Sequence, residues 1–275
     1  MDDDLGQSYL RATRHGRTHL VGGRMDWANQ PDWFKTFPDA PRVKLPDLAL
    51  DDSGLFDALA RRRSLRAYSP DALRVKLPDL ALDDSGLFDA LARRRSLRAY
   101  SPKPLALGEL GALLWAAAGI TAREEGFALR TAPSAGGLYP IEHYVVASGV
   151  EGLEQGLYHY DVLGRALERL YAVDLRLPIA RAALDQGIAA EAQAVFVWTA
   201  VLERSRWKYG ERFLRYVLLD AGHIAGNVAL AATALGLGTC QIAAFFDEEA
   251  AAILGVDPEL EPVVYMSTAG RPAGG

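Results

Sequence analysis

Apolar residues along the chain switch between helical and extended spacing, and the switches mark out its elements. At Leu107–Ala118, Leu110, Leu113 and Leu114 share one helical face, and Gly119 supplies the stop. Upstream, Ser85-Gly86-Leu87-Phe88 opens a helix toward Arg95 with Ser85 as its N-cap. Residues 120–140 show no period and read as loop. Ile141–Ala147 is β-branched and aromatic, a strand, and residues 157–161 and 165–170 flank Gly164 as a hairpin. The unbroken apolar run at 194–202 suits a strand buried on both faces. The longest helix covers about 210–235, and Gly222, Gly226, Ala229 and Thr233 form a small-residue stripe along it. Such a stripe admits a second backbone at close range. Strands at 239–245 and 262–268 enclose a helix at Asp247–Leu254. The first forty residues are polar and aromatic without a period, and read as an extended arm packing on a neighbour. Interleaved helices and strands predict an α+β fold, a mixed sheet flanked by helices.

A duplication interrupts this pattern. Residues 42–70, RVKLPDLALDDSGLFDALARRRSLRAYSP, recur letter for letter at 74–102, an offset of 32. Solenoid repeats diverge and need about three copies to bury a shared core. Two near-identical copies indicate a tandem duplication or an error in the gene sequence. The second copy runs straight into the Leu107–Ala118 helix through Lys103-Pro104, so it is read as the native one. That reading divides the chain into an N-terminal extension, 1–73, which holds the surplus segment 42–73, and a catalytic body, 74–275. In the alternative, the first copy occupies the site and the second loops out.

Composition narrows the function. A net charge of −5 argues against nucleic acid, which needs a clustered basic face. The single cysteine, Cys240, excludes an intrachain disulfide and fits a reducing, cytoplasmic setting. The N-terminus lacks the layout of a secretory signal. The longest uncharged run, 228–246, is diluted by Ala, Gly, Thr and Gln and reads as buried helix and strand rather than a membrane span. The five histidines show no metal-ligand spacing, and His223 reads as a polar contact within the helix core.

Four segments could carry chemistry. Arg94, Arg95, Ser96 and Arg98 offer several forked donors to one phosphate, although a solvated basic helix end accounts for them equally. In Pro133-Ser134-Ala135-Gly136-Gly137, small residues would let backbone approach a flat ring, or form a plain loop. Gly236-Leu237-Gly238-Thr239-Cys240 resembles half a dinucleotide fingerprint, but the third glycine is missing and the helix precedes it, so a Rossmann site is rejected. Lys208-Tyr209 could act as a general base or proton shuttle, or be an exposed pair beside the long helix.

In order along the chain, Trp33-Phe34-Lys35, RRRSLRAYSP, LGELGALLWAAAGI, RTAPSAGGLYPIEHYVV, GLYHYD, KYGERFLRYVLLDAGHIAGNVALAATALGLGTC and Gly270-Arg271-Pro272 resemble the nitroreductase family. Within it they are similar to the SagB/ThcOx-type dehydrogenases. The resemblance implies a homodimer with long central helices at its interface and FMN held there. By position, Arg94, Arg95, Ser96 and Arg98 would hold the phosphate, ribityl chain and pyrimidine edge. The Pro133, Ser134, Ala135 and Gly136 backbone would flank the isoalloxazine, Ile242, Ala243 and Ala244 would lie over it, and Arg271 could meet the phosphate. Lys208 and Tyr209 match the catalytic pair of azoline dehydrogenases, which implies a peptide or small-molecule substrate and a cyclodehydratase partner. Competing expectations are an NAD(P)H-dependent nitroreductase or quinone reductase, and a non-catalytic flavin-binding relative.

Overall fold

The apolar runs at Ile141–Ala147 (β4) and Ala194–Ala200 (β7) are buried along their whole length and pair antiparallel, Tyr144 opposite Val197. They form the middle of a seven-stranded sheet in the computed structural model, which describes residues 5–13, 30–46, 86–124 and 127–274. The other strands are β1 (Arg42–Lys44), β5 (Gly156–Asp161), β6 (Ala166–Tyr171), β8 (Gly238–Ile242) and β9 (Val263–Gly270). They run in the order β1-β6-β5-β4-β7-β9-β8. The α+β class holds, but every ladder in this sheet is antiparallel. Among the described residues, parallel pairing is confined to isolated bridges, Ser96 with Thr239 and Leu105 with Val150.

Alternation along the strands feeds two cores. Val145, Phe196, Trp198 and Tyr160 point to the face covered by α3 (Leu107–Ala118) and α7 (Phe213–Ala234). Tyr144, Val146, Val195 and Val197 point to the face covered by α4 (Arg176–Ala182), α5 (Ile188–Glu191) and α8 (Asp247–Leu254). Both faces being covered is why these strands read as continuous apolar runs. The segment expected as loop, 120–140, contains a hairpin of β2 (Ile120–Glu124) and β3 (Phe127–Arg130). Its strands are short and carry Arg and Glu, so they lack an apolar period. Helix α6 (Glu203–Tyr209) precedes α7, and α2 (Gly86–Arg93) packs against α7. The N-cap expected at Ser85 lies outside the described residues.

The N-terminal segments are built into the fold. Residues 5–12 form a helix, α1 (Leu5–Ala12), rather than an extended arm. Residues 31–44 are held on their own chain by side chains that bind their backbone: Arg204 Nε to the Asp32 carbonyl, 2.6 Å, and the Phe37 amide to Glu168, 3.0 Å. Lys35 adds an ion pair to Glu261 at 2.5 Å. The boundary expected after residue 73 therefore does not match the sheet, because Arg42–Lys44 is its edge strand and Leu45 is buried. The repeat is shared between sites: the first copy supplies the strand, and the second supplies α2 and the RRRSLR turn. Thirty-nine residues lie between Pro46 and Gly86, and removing one 32-residue unit leaves seven.

A chain lacking residues 47–78 retains one of each motif. It is expected to fold with an unchanged circular dichroism spectrum and to gain about 1.5 kcal/mol from the smaller closure entropy of the shorter connection. Failure of the shortened chain to fold would show that both copies are needed.

Candidate functional site

The RRRSLR turn is locked to the end of α7. The Leu97 amide donates to the Thr239 carbonyl at 2.8 Å, and a Cβ on Gly238 would run into the Leu97 side chain. Glycine at 238 is what permits this approach. Arg95 donates to the carbonyls of Ala92 and Arg94, capping α2. Arg94 and Arg98 make no ion pair among the described residues, and Ser96 is exposed, so the turn presents unneutralised donors to an anion.

The PSAGG loop sits near the other end of α7. Ser134 Oγ donates to Asp220 at 2.5 Å and accepts from the Tyr139 amide at 2.9 Å, while the Ala135 amide donates to Asp220 at 3.3 Å. Gly136 and Gly137 then take φ values of +66° and +69°. A Cβ on Gly136 would lie 2.6 Å from Tyr209 Oη and 2.8 Å from Lys208 Nζ. The loop and the Lys208-Tyr209 pair, separate in sequence, are thus in contact, with both side chains half-buried at the end of α6. Tyr209 packs on Tyr216 with centroids 4.5 Å apart, and Arg212 joins Tyr216 to the Thr13 carbonyl just after α1.

Two expectations change. Arg271 is already engaged: its guanidinium pairs with Glu109 at 2.8 Å and donates to the Pro104 carbonyl, so it braces the start of α3 rather than waiting for a phosphate. His223 is exposed on the outer face of α7 rather than inside the core. Ile242 is buried at the end of β8, with Ala243 and Ala244 exposed after it.

Sequence reading missed the buried polar groups beneath the loop. Burial, opposed by the bonds from Ser134 and Ala135, pushes Asp220 up to about 6. Burial, with Arg130 nearby, holds His143 down at about 3, so its ring is neutral. The one available signal was an aspartate in the apolar face of the long helix, in LLDAGH. Further from the loop, burial would raise Glu142, but the Arg204 charge and bonds from His159 and Arg204 bring it to about 2.

The model of the nitroreductase family matches residues 91–271. The chain belongs to the nitroreductase family. Its type of chemistry is therefore that of a flavin oxidoreductase. A relative from Methanocaldococcus jannaschii, MJ1384, described as a nitroreductase, is 42% identical over 79% of this chain and 91% of its own length. The trifolitoxin-processing protein TfxB of Rhizobium leguminosarum bv. trifolii is 32% identical over 48% of this chain, which spans only 37% of that protein. A solved nitroreductase-type structure from Ralstonia eutropha superposes with a TM-score of 0.59 at 26% identity, covering 86% of this chain and all of that one. The Escherichia coli microcin synthetase McbBCD complex contains the same fold, with a TM-score of 0.56 at 20% identity over 81% of this chain and 94% of that one.

Two outcomes follow from the loop. Gly136→Ala places a side chain at positive φ against Lys208 and Tyr209, and should cost on the order of 1–2 kcal/mol in a melt. For Asp220, the folded value of about 6 lies above the unfolded 3.8, so folding favours the protonated carboxyl. That stabilisation is complete below pH 3.8 and is lost as pH rises through 6. Asp220→Asn should therefore gain on the parent protein between pH 4 and pH 7, by on the order of 2–3 kcal/mol, as read from paired melts. A difference that shrinks with rising pH would contradict this.

Proposed function

We propose that this nitroreductase-family protein is an FMN-dependent dehydrogenase of the SagB type, acting as a homodimer on azoline rings in a peptide or on a similar two-electron donor. The observation that carries the reading is the contact between the PSAGG loop and Lys208-Tyr209. The residues fit an anionic, flat cofactor: free guanidinium groups on the RRRSLR turn for its phosphate, and a side-chain-free surface at Gly136 for its ring. Bound FMN would supply the hydride acceptor.

The chain's own residues do the rest. Lys208 Nζ removes the proton from the substrate ring carbon, and Tyr209 Oη orients the amine or shares that proton. Arg94, Arg95, Ser96 and Arg98 hold the phosphate end, and the Pro133, Ser134, Ala135 and Gly136 backbone excludes water on one side of the ring. Ile242, Ala243 and Ala244 offer backbone on the other side.

Helix geometry supports the dimer. Along α7, Asp220 and the C-terminal end at Ala234 are about 20 Å apart, so one protomer keeps its loop and its arginine turn at opposite ends. Leu218 and Leu219 are 52% and 59% exposed, and beside them Gly222 and Gly226 have open space. Antiparallel pairing of two such helices near Gly226 would cover this stripe and bring each loop beside its partner's arginine turn. TfxB and the microcin B17-processing protein McbC, which is 27% identical over 49% of this chain, are processing proteins, which supports a peptide substrate, and the McbBCD complex supports a partner, here read as a cyclodehydratase. The likeness to MJ1384 supports a second reading, an NAD(P)H-dependent nitro- or quinone reductase.

Purified protein is expected to be yellow, or to become so with FMN, and to elute as a dimer; a colourless protein that cannot be reconstituted would refute the flavin site. Slow bleaching with NADPH under anaerobic conditions favours the dehydrogenase, and rapid bleaching favours the reductase. Lys208→Ala should keep the flavin and lose roughly 10²–10⁴-fold in substrate oxidation; unchanged turnover removes Lys208 as the base.

A further inference from the structure

Beneath the PSAGG loop lies a cavity of about 10 Å³, bordered by Ala118, Arg130, Ser134, His143, Asp220 and Ile224. That is close to the smallest space that holds one water molecule. Both ring nitrogens of His143 and Nε of Arg130 are buried without a hydrogen-bond partner among the described residues. His143 is 1% exposed and Asp220 4%. Asp220 also makes no ion pair among the described residues, although it is buried. Buried polar groups without partners are costly, and one water molecule in the gap beside them would relieve that cost.

We propose that this cavity binds one water molecule that joins Asp220 to His143, and that Asp220, acting through Ser134, is the positioning residue of the PSAGG loop beside Lys208 and Tyr209. The Tyr139 amide donates to Ser134 Oγ, Ser134 donates to Oδ2 of Asp220, and the Ala135 amide donates to Oδ1. These three bonds thus hold the loop on both sides of Gly136, which takes its left-handed turn against the catalytic pair. As a carboxylate, Asp220 accepts both loop bonds. Once protonated, it gives up one acceptor position and must donate, and the water supplies the acceptor.

The groups facing Asp220 are Arg130 from β3, Ser134 and Tyr139 from the loop and His143 from β4, with Lys208 and Tyr209 of α6 across the loop. Helix α7 itself adds Tyr216 one turn earlier, and α3 contributes only Ala117 and Ala118. Arg130 stays cationic, because burial lowers it only to about 10. His143 stays neutral, and Asp220 is the group that changes charge near neutral pH. The functional consequence rests on the flavin reading above, whereas the water and the loop anchors do not.

Three measurements on the full chain test it. A high-resolution crystal structure should show one water within hydrogen-bond distance of both Asp220 and His143; an empty cavity overturns the water. Amide exchange at Ala135 and Tyr139 should be at least tenfold faster in Asp220→Ala than in the parent protein at the same pH; unchanged exchange overturns the anchoring. Should Asp220→Ala not fold, Ser134→Ala, which removes the acceptor of the Tyr139 amide and the donor to Asp220, serves for exchange, and His143→Phe fills the cavity and should expel the water while keeping the loop bonds. Finally, affinity for riboflavin, which lacks the phosphate that itself titrates near pH 6, should change through about pH 6 in the parent protein and be flat in Asp220→Asn. A shared profile would overturn the positioning role and leave the flavin site standing. A parent protein that binds no FMN at any pH would end the flavin reading, with the water and exchange results still deciding this one.

Discussion

Helix α7 is a rigid spacer, and the organisation of the site follows from its length. Its 22 residues extend about 33 Å, with one face buried against the sheet and α3. Asp220 ties the PSAGG loop to the first half of the helix, and Leu97 bonds to the strand that leaves its far end. The two groups of residues best suited to a ring and to a phosphate therefore cannot drift toward each other within one protomer. In the proposed dimer, the exposed Leu218, Leu219, Gly222 and Gly226 face of the same helix would bring complementary ends together. Small residues on that face are consistent with this role, since they shorten the distance at which two helices can cross.

The same sheet that carries the site buries charges on its other half. His159 has a carboxylate on each ring nitrogen, Glu142 at 2.8 Å and Glu168 at 3.0 Å. Arg204 pairs with Glu142, and Arg42 with Glu168 at 2.5 Å. Removing Arg204 from its buried pair with Glu142 leaves an uncompensated buried charge, which costs about 3–5 kcal/mol. The arrangement links the arm to the site. Arg204 holds both Glu142 and the Asp32 carbonyl, and it lies on α6, the helix that ends in Lys208-Tyr209. Arg130 binds the Trp33 carbonyl and also borders the cavity under the loop. Residues 30–46 are thus attached to the elements that position Lys208-Tyr209.

Much of this was legible before the structure, because strong signals dominate where packing is two-sided. Leu107–Ala118 and Asp247–Leu254 match their expected bounds, and the buried strands were visible as unbroken apolar runs. The β2–β3 hairpin was not, since ITARE lies partly in solvent and FALR does not alternate apolar and polar residues. Helix α4 was missed for a related reason: RLPIARA has a proline in its first turn and only seven residues. At the site, the loop and Lys208-Tyr209 could be named from sequence, but their contact could not, because it depends on how α6 turns into α7 at Gly210, where φ is +51°. Asp220 carried one signal, its place in the apolar face of the long helix, but nothing local showed that it anchors a loop. For Arg271 the resemblance implied a phosphate contact, whereas in the structure its guanidinium is engaged by Glu109.

The duplication shows how sequence identity and structural role separate. Two identical copies of RVKLP are available to the edge of the sheet, and two copies of the α2 sequence to α7. Local preference cannot choose between copies whose residues are the same, so connectivity must. The strand at 42–44 is continuous with residues 31–41, which Arg204, Glu168 and Glu261 hold in place. The RRRSLR turn at 93–98 is continuous with Lys103-Pro104 and the buried start of α3 at Leu105. Each site takes the copy whose covalent neighbour is already fixed, because that choice orders the fewest additional residues. The mixed use of the two copies therefore follows from chain entropy, and the arginine turn keeps its place at the end of α7 whichever unit is counted as surplus.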